Sequence, residues 1–101
     1  MSVQKQIDRE DCELVLTGRI DGAAAHALEV EILTLSKTPI KNVFVNLAGA
    51  NFLCSAALRV ILQNYRQWSN QGRRLVISRT SPEVDQILEL TGMREMVVEA
   101  T

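Results

Sequence analysis

Three side chains in this sequence belong to types that act as nucleophiles or bases: Ser55, Cys54 and His26. A catalytic serine needs a base within hydrogen-bond reach, and His26 is the only histidine among the 101 residues. Ser55 lies in Leu53–Ala57, which lacks the glycines of a nucleophile elbow. A small hydrolase using Ser55 or Cys54 is therefore only an alternative, and we predict that the protein is not an enzyme and has no catalytic residue.

The two cysteines, Cys12 and Cys54, form neither a C-x-x-C pair nor any other metal-ligand spacing. Cys54 precedes a predicted helix, whose dipole would favour a thiolate, but no neighbouring partner in the sequence supports an activated thiol. We interpret Cys54 as a small buried apolar residue and expect two free thiols. The glycine-rich patterns that bind phosphate are also absent, so we expect no cofactor and no metal.

The charge balance argues against a nucleic-acid partner. Eleven basic and twelve acidic residues give a net charge of −1, and Arg73 and Arg74 are the only adjacent basic pair. Binding to nucleic acid or to a membrane surface relies on a basic face, which this composition does not supply. With no signal peptide and no long apolar run, we expect one domain over residues 1–101, a cytoplasmic location and no membrane insertion.

The hydrophobic pattern of the first half predicts a hairpin, a helix and a buried strand. Apolar residues alternate with polar ones in Val3–Ile7 and again in Cys12–Gly18, on either side of a polar turn. Asp21 is a good N-cap for a helix over about Gly22–Ser36. The apolar run Val43–Leu47 is typical of a strand buried on both faces, and the following Ala48-Gly49-Ala50-Asn51 is expected to end it.

The second half predicts two further helices, each followed by a strand. Ser55 is expected to cap a helix that runs to about Asn70, with Gly72 as its stop. A strand at Leu75–Ile77 precedes a helix that starts at Ser81-Pro82-Glu83 and ends at Gly92. Met96–Val98 is expected to form the last strand.

Together these elements predict an α/β fold with a mixed β-sheet packed by α-helices, in the order β-β-α-β-α-β-α-β. The sequence leaves the strand order in the sheet open. Six residues, one from each of six predicted elements, are expected to share one core: Leu28, Val45, Ile61, Ile77, Leu88 and Val97.

Three segments in this order resemble the STAS domain family, which includes the bacterial anti-sigma factor antagonists. Gly18–Asp21 resembles the family's G-x-hydrophobic-D, and Ile87–Met93 resembles the end of its third helix. Val45–Leu58 resembles its strand, loop and helix start, usually written L-D-L-S-x-V-x-F-hydrophobic-D-S-S/T-G-L. The resemblance spans most of the chain and implies a single-domain STAS-like fold.

The resemblance also implies a function as a binding module in transcription regulation by partner switching. In this family the domain binds an anti-sigma factor that is also a serine kinase; the kinase phosphorylates the serine after the motif's aspartate, and a serine phosphatase removes the phosphate. Ser55 falls on that position, so the resemblance implies a phosphoprotein. The partner-binding residues that it implies are Asp21, Cys54, Ser55, Ala56, Ala57, Arg59 and Gln63.

The motif departs from the family pattern at four positions. Cys54 and Asn46 stand where the family has aspartate, Ala56 where it has serine or threonine, and Ala57 where it has glycine. An alternative is therefore a STAS scaffold or accessory subunit that is not phosphorylated, as in stress-signalling or lipid-transport complexes. A weak homodimer is a further expectation.

Overall fold

The computed structural model describes residues 2–97 and contains a β-hairpin followed by three α-helices, with one further strand between each pair of helices. Each predicted element up to Gly92 is present, and the predicted helix Gly22–Ser36 has the observed bounds. The elements are β1 (Ser2–Asp8), β2 (Asp11–Ile20), α1 (Gly22–Ser36), β3 (Asn42–Leu53), α2 (Ser55–Asn70), β4 (Arg74–Thr80) and α3 (Pro82–Thr91), followed by a 3₁₀ helix at Arg94–Met96.

The four strands form one mixed sheet in the order β1-β2-β3-β4. Strands β1 and β2 form an antiparallel hairpin, in which Asp8 pairs with Asp11 across a two-residue turn. Arg9 adopts a left-handed φ of 58° there, a conformation that glycine or asparagine would adopt at lower cost. The pairs β2–β3 and β3–β4 are parallel, as expected for strands joined by helices.

One face of the sheet and the inner sides of all three helices form a single hydrophobic core. Strand residues on this face, such as Leu14 and Val45, are fully buried, whereas their neighbours Glu13 and Phe44 on the opposite face are only half-buried. The core prediction is confirmed. Five of the six expected residues are fully buried, and Val97 packs against the cluster partly buried.

Strand β3 is longer than the sequence indicates. The predicted break at residues 48–51 is wrong, because the chain stays paired with β2 through register shifts near Thr17 and Gly18. Bulges of this kind let a strand absorb an extra residue without leaving the sheet. Gly49 is needed for the close approach, since a Cβ at this position would lie 2.8 Å from Thr17 Cγ2.

The predicted last strand at Met96–Val98 is also wrong over the described residues. Arg94–Met96 forms a turn of 3₁₀ helix, and only Val97 bridges to Ile77 in parallel. Val98 lies outside the described residues. Gly92 ends α3 with a φ of 71°, as the sequence predicts.

Candidate functional site

Helices α1 and α2 begin side by side at the end of the sheet where the carboxyl ends of β2 and β3 lie. Strands β2 and β3 are parallel, so their carboxyl ends meet there, with Ile20 paired to Leu53. The Cys54 backbone N–H donates to the Ile20 carbonyl at 3.0 Å, which joins the two strand ends. Asp21 and Ser55, which follow those strand ends, are thereby brought to the same edge.

The N-cap of α2 is Cys54, and the prediction that Ser55 caps this helix is wrong. Cys54 has the extended conformation of a cap, and its Sγ accepts from the Ala57 N–H at 3.4 Å. Ser55 is instead the first residue of the helix and is exposed. The Asp21 prediction is confirmed, because Oδ1 accepts from the Ala24 N–H at 3.0 Å and caps α1.

The other predicted contact residues divide into surface and core. Arg59 and Gln63 are exposed on α2, and Ala56 is half-buried. Ala57 is fully buried, so the expectation that it contacts a partner directly is wrong. It packs in the core one turn below the helix start, where glycine would leave a small void.

An open groove of about 410 Å³ separates the first turns of α1 and α2. Its wall on α2 includes Ala56, Arg59 and Gln63, and its wall on α1 includes His26 and Glu29. Sequence reasoning missed the α1 wall. The helical spacing of His26 and Glu29 could have indicated a shared face, but nothing in one sequence shows that this face lies beside α2.

Arg19 is a second residue that sequence reasoning missed. It pairs with Phe52 in the β2–β3 register, and its guanidinium lies 4.0 Å from the centroid of the Phe52 ring. Phe52 lies three residues before Ser55. A cation–π contact therefore holds a positive charge at the edge where both helices start.

The arrangement offers little support for hydrolysis. The Cys54 thiol accepts from a backbone N–H rather than pairing with a base. His26 is exposed on the groove wall. Within residues 2–97, no cluster of three His, Cys, Asp or Glu side chains is arranged to hold a metal ion. Among the helices in this range, none has the length and hydrophobicity of a membrane-spanning helix.

The two cysteines lie at opposite ends of β2. Cys12 is near the start of the strand, whereas Cys54 adjoins its last residue, Ile20. Eight residues of strand separate these ends by about 26 Å, far beyond the 7 Å that a disulfide allows between Cα atoms. Both thiols are free, and burial raises the pKa of Cys12.

Comparisons with known proteins agree with this architecture. The STAS domain pattern matches residues 2–101. The chain is similar to the anti-sigma factor antagonist SpoIIAA in its unphosphorylated form, with a TM-score of 0.86 and 20% identity over 99% of this chain and 89% of that one. The phosphorylated form of SpoIIAA from Bacillus gives a TM-score of 0.79, with 20% identity over 99% and 92%. An anti-sigma factor antagonist from Mycobacterium paratuberculosis gives 0.82, with 18% identity over 97% and 83%.

Proposed function

The chain belongs to the STAS domain family, and on that basis we propose that it is an anti-sigma factor antagonist whose binding is switched by phosphorylation of Ser55. The partners are an anti-sigma factor that is also a serine kinase, and a serine phosphatase that reverses the modification. The observation that carries the proposal is the exposed Ser55 hydroxyl at the first position of α2, with the capping role taken by Cys54.

The electrostatics around Ser55 favour a phosphate in the folded chain. A phosphoserine brings a charge of about −1.5 to −2. Apart from Asp21, which caps α1, the starts of α1 and α2 contain no acidic residue, whereas the first turn of α3 contains Glu83 and Asp85. A phosphate on Ser55 would meet the positive end of α2, so the domain stays folded when modified.

The proposed partner surface comprises Asp21, Ser55, Ala56 and the outer side of α2 with Arg59 and Gln63. Cys54 contributes as the cap that fixes where the helix starts. When a partner covers this surface, water leaves the Ser55 side chain. A phosphate there would then be desolvated without a compensating cation from the partner, which opposes binding.

A second candidate is a STAS scaffold or accessory subunit that is never phosphorylated. Cys54 and Ala56 favour it, because they remove a carboxylate and a hydroxyl that flank the serine in the family pattern. Such a subunit would use the same edge for permanent assembly.

Binding to the cognate kinase–anti-sigma factor separates the two candidates. Calorimetry would compare wild type with Ser55→Ala, Ser55→Asp and Ser69→Asp; Ser69 is an exposed serine near the other end of α2 and serves as the matched control. We expect Ser55→Asp to weaken binding at least about tenfold, or about 1.4 kcal/mol, while the other two variants stay near wild type. Tight binding by Ser55→Asp would contradict the switch and favour the scaffold.

A further inference from the structure

The face of the sheet turned away from the helices carries segregated charges. Asp11 and Glu13 alternate along β2 with the fully buried Cys12 and Leu14, so they lie on this outer face. Their carboxylates accept hydrogen bonds from Asn42 and Asn46 of β3. We call this surface the outer sheet face and define it by Asp8, Asp11, Glu13, Phe44, Arg74 and Arg79.

Near the start of β2, acids occupy one half of the outer sheet face and arginines the other, whereas Arg19 lies at the far end of β2. Asp8 on β1 pairs with Asp11 on β2, and Glu13 follows on β2. Two strands away, Arg74 lies 6.0 Å from the Phe44 ring centroid, and Arg79 lines the same concavity of about 550 Å³ as Glu13 and Phe44. Along the same stretch, β3 lies between the halves and presents the uncharged Asn42, Phe44 and Asn46, which alternate with buried residues.

Within residues 2–97, none of these five charged groups forms an ion pair. The ion pairs in that part of the chain are Lys5–Glu31, Lys41–Glu10 and Arg94–Asp85. The apolar surface at the centre of the face comes from the half-buried Phe44, because its neighbour Val76 on β4 is only 5% exposed and is already covered within the chain. An apolar centre with unpaired charges of opposite sign on its two sides is complementary to a copy of itself.

We propose that the outer sheet face binds a second copy of this chain, face to face. The two copies are related by a two-fold axis that lies between their sheets and runs parallel to β3. This symmetry places β4 of one copy over β2 of the other. Asp11, Asn42 and Arg74 share one row across the strands, so Arg74 of each copy faces Asp11 of the second copy. Stacked sheets lie about 10 Å apart, a gap that an arginine and an aspartate together can span.

The size of the face sets the strength of this dimer. In this arrangement β2, β3 and β4 of one copy overlap the same three strands of the other, because no strand lies opposite β1. Three strands of about seven residues cover about 14 Å by 23 Å, or about 330 Å² of each copy. The dimer would bury less than the roughly 1,200 Å² in total of a stable interface, so it is weak, with a Kd of about 0.1–1 mM. Because its charges stay near solvent, it weakens further as salt rises. The proposal does not depend on phosphorylation, because Ser55 lies at the carboxyl ends of the strands, where the helices begin, and not on the outer sheet face.

Two charge-reversal variants, Asp11→Arg and Arg74→Glu, test this pairing, first separately and then mixed. Asp11→Arg alone places arginine against arginine in a dimer with itself, and Arg74→Glu alone places glutamate against aspartate. In the mixture, one Asp11→Arg chain can pair with one Arg74→Glu chain. Residue 11 of each chain then faces residue 74 of the other, and the two charges in each pair are opposite. Arg66→Glu, on the exposed side of α2, is the control. Self-association would be measured by sedimentation equilibrium at low salt up to about 1 mM chain, with circular dichroism verifying that each variant is folded.

We expect wild type and Arg66→Glu to self-associate alike, each single variant to associate at least tenfold more weakly, and the equimolar mixture to recover a one-to-one dimer. In wild type, amide NMR shifts that change with concentration should cluster around Phe44 and Val76, which tests the face without any substitution. A monomeric wild type, unaffected single variants, or a mixture that stays monomeric would each overturn the proposal. Shifts confined to the free edge of β1 would also overturn it, and would assign the contact to strand pairing.

Discussion

Cys54 and Ser55 differ in role because of a single hydrogen bond. Both residues follow β3, and serine is the better N-cap by type, so the sequence predicts a cap at Ser55. The Cys54 N–H is instead held by the Ile20 carbonyl of β2, which keeps Cys54 extended and makes it the cap. Which residue begins the helix thus depends on a strand neighbour more than thirty residues away in the sequence, which local residue preferences cannot indicate.

The Cys54 cap is weak, which gives a stability prediction. Its Sγ lies 3.4 Å from the Ala57 nitrogen, whereas Ser81 Oγ caps α3 at 3.1 Å from the Val84 nitrogen. Cys54→Asp supplies a charged oxygen to the start of α2 and should raise the free energy of unfolding by about 0.5–1 kcal/mol in urea denaturation. Ser81→Cys, the reciprocal change, should lower it. If Cys54→Asp were destabilising, the assignment of Cys54 as the cap would be contradicted.

At the scale of elements, Arg73 joins the end of α1 to the loop before β4. Its guanidinium donates to the carbonyls of Ser36 and Thr38, each at 3.0 Å, and to those of Leu35 and Ile40. It also stacks 4.0 Å from the Trp68 ring centroid. Carbonyls at a helix C-terminus lack partners within the helix, so one side chain satisfies several of them at once.

Replacing Arg73 with lysine keeps the charge but loses the planar set of donors and the stacking. We expect Arg73→Lys to lower the free energy of unfolding by about 2 kcal/mol, and therefore the Tm by roughly 10 °C. Arg74→Lys is the matched control, because Arg74 is exposed and only approaches the Phe44 ring at 6.0 Å; its effect should stay within about 0.5 kcal/mol. Thermal denaturation of both variants checks this, and equal effects would contradict the joining role.

Most elements could be predicted from the sequence because their signals are local. Ser81, Pro82 and Gly92 mark both ends of α3, and Asp21 marks the start of α1. The length of β3 could not be predicted, because Gly49 stays in the strand through its pairing with Thr17 of β2, which lies against it. Pairing across a bulge is a long-range property and leaves no periodic trace in one strand.

At the scale of the whole molecule, the core was predictable and the surfaces were not. The apolar periods identify Leu28, Ile61 and Leu88 as core residues without any knowledge of strand order. The groove between α1 and α2, the Arg19–Phe52 contact and the outer sheet face each combine residues from separate elements. They appear only once the order β1-β2-β3-β4 is known. Ser55 and Asp21 could be assigned to one site in advance only through the resemblance to the STAS family.

The central claim, that phosphorylation of Ser55 releases the partner, is tested most directly by mapping the phosphate. The chain would be incubated with its cognate kinase–anti-sigma factor and ATP, analysed by peptide mass spectrometry, and the modified chain then returned to fresh partner. We predict one phosphate per chain, on Ser55, and at least about tenfold weaker binding by the modified chain. A phosphate on another residue, or a phosphorylated Ser55 that still binds the partner tightly, would contradict the account.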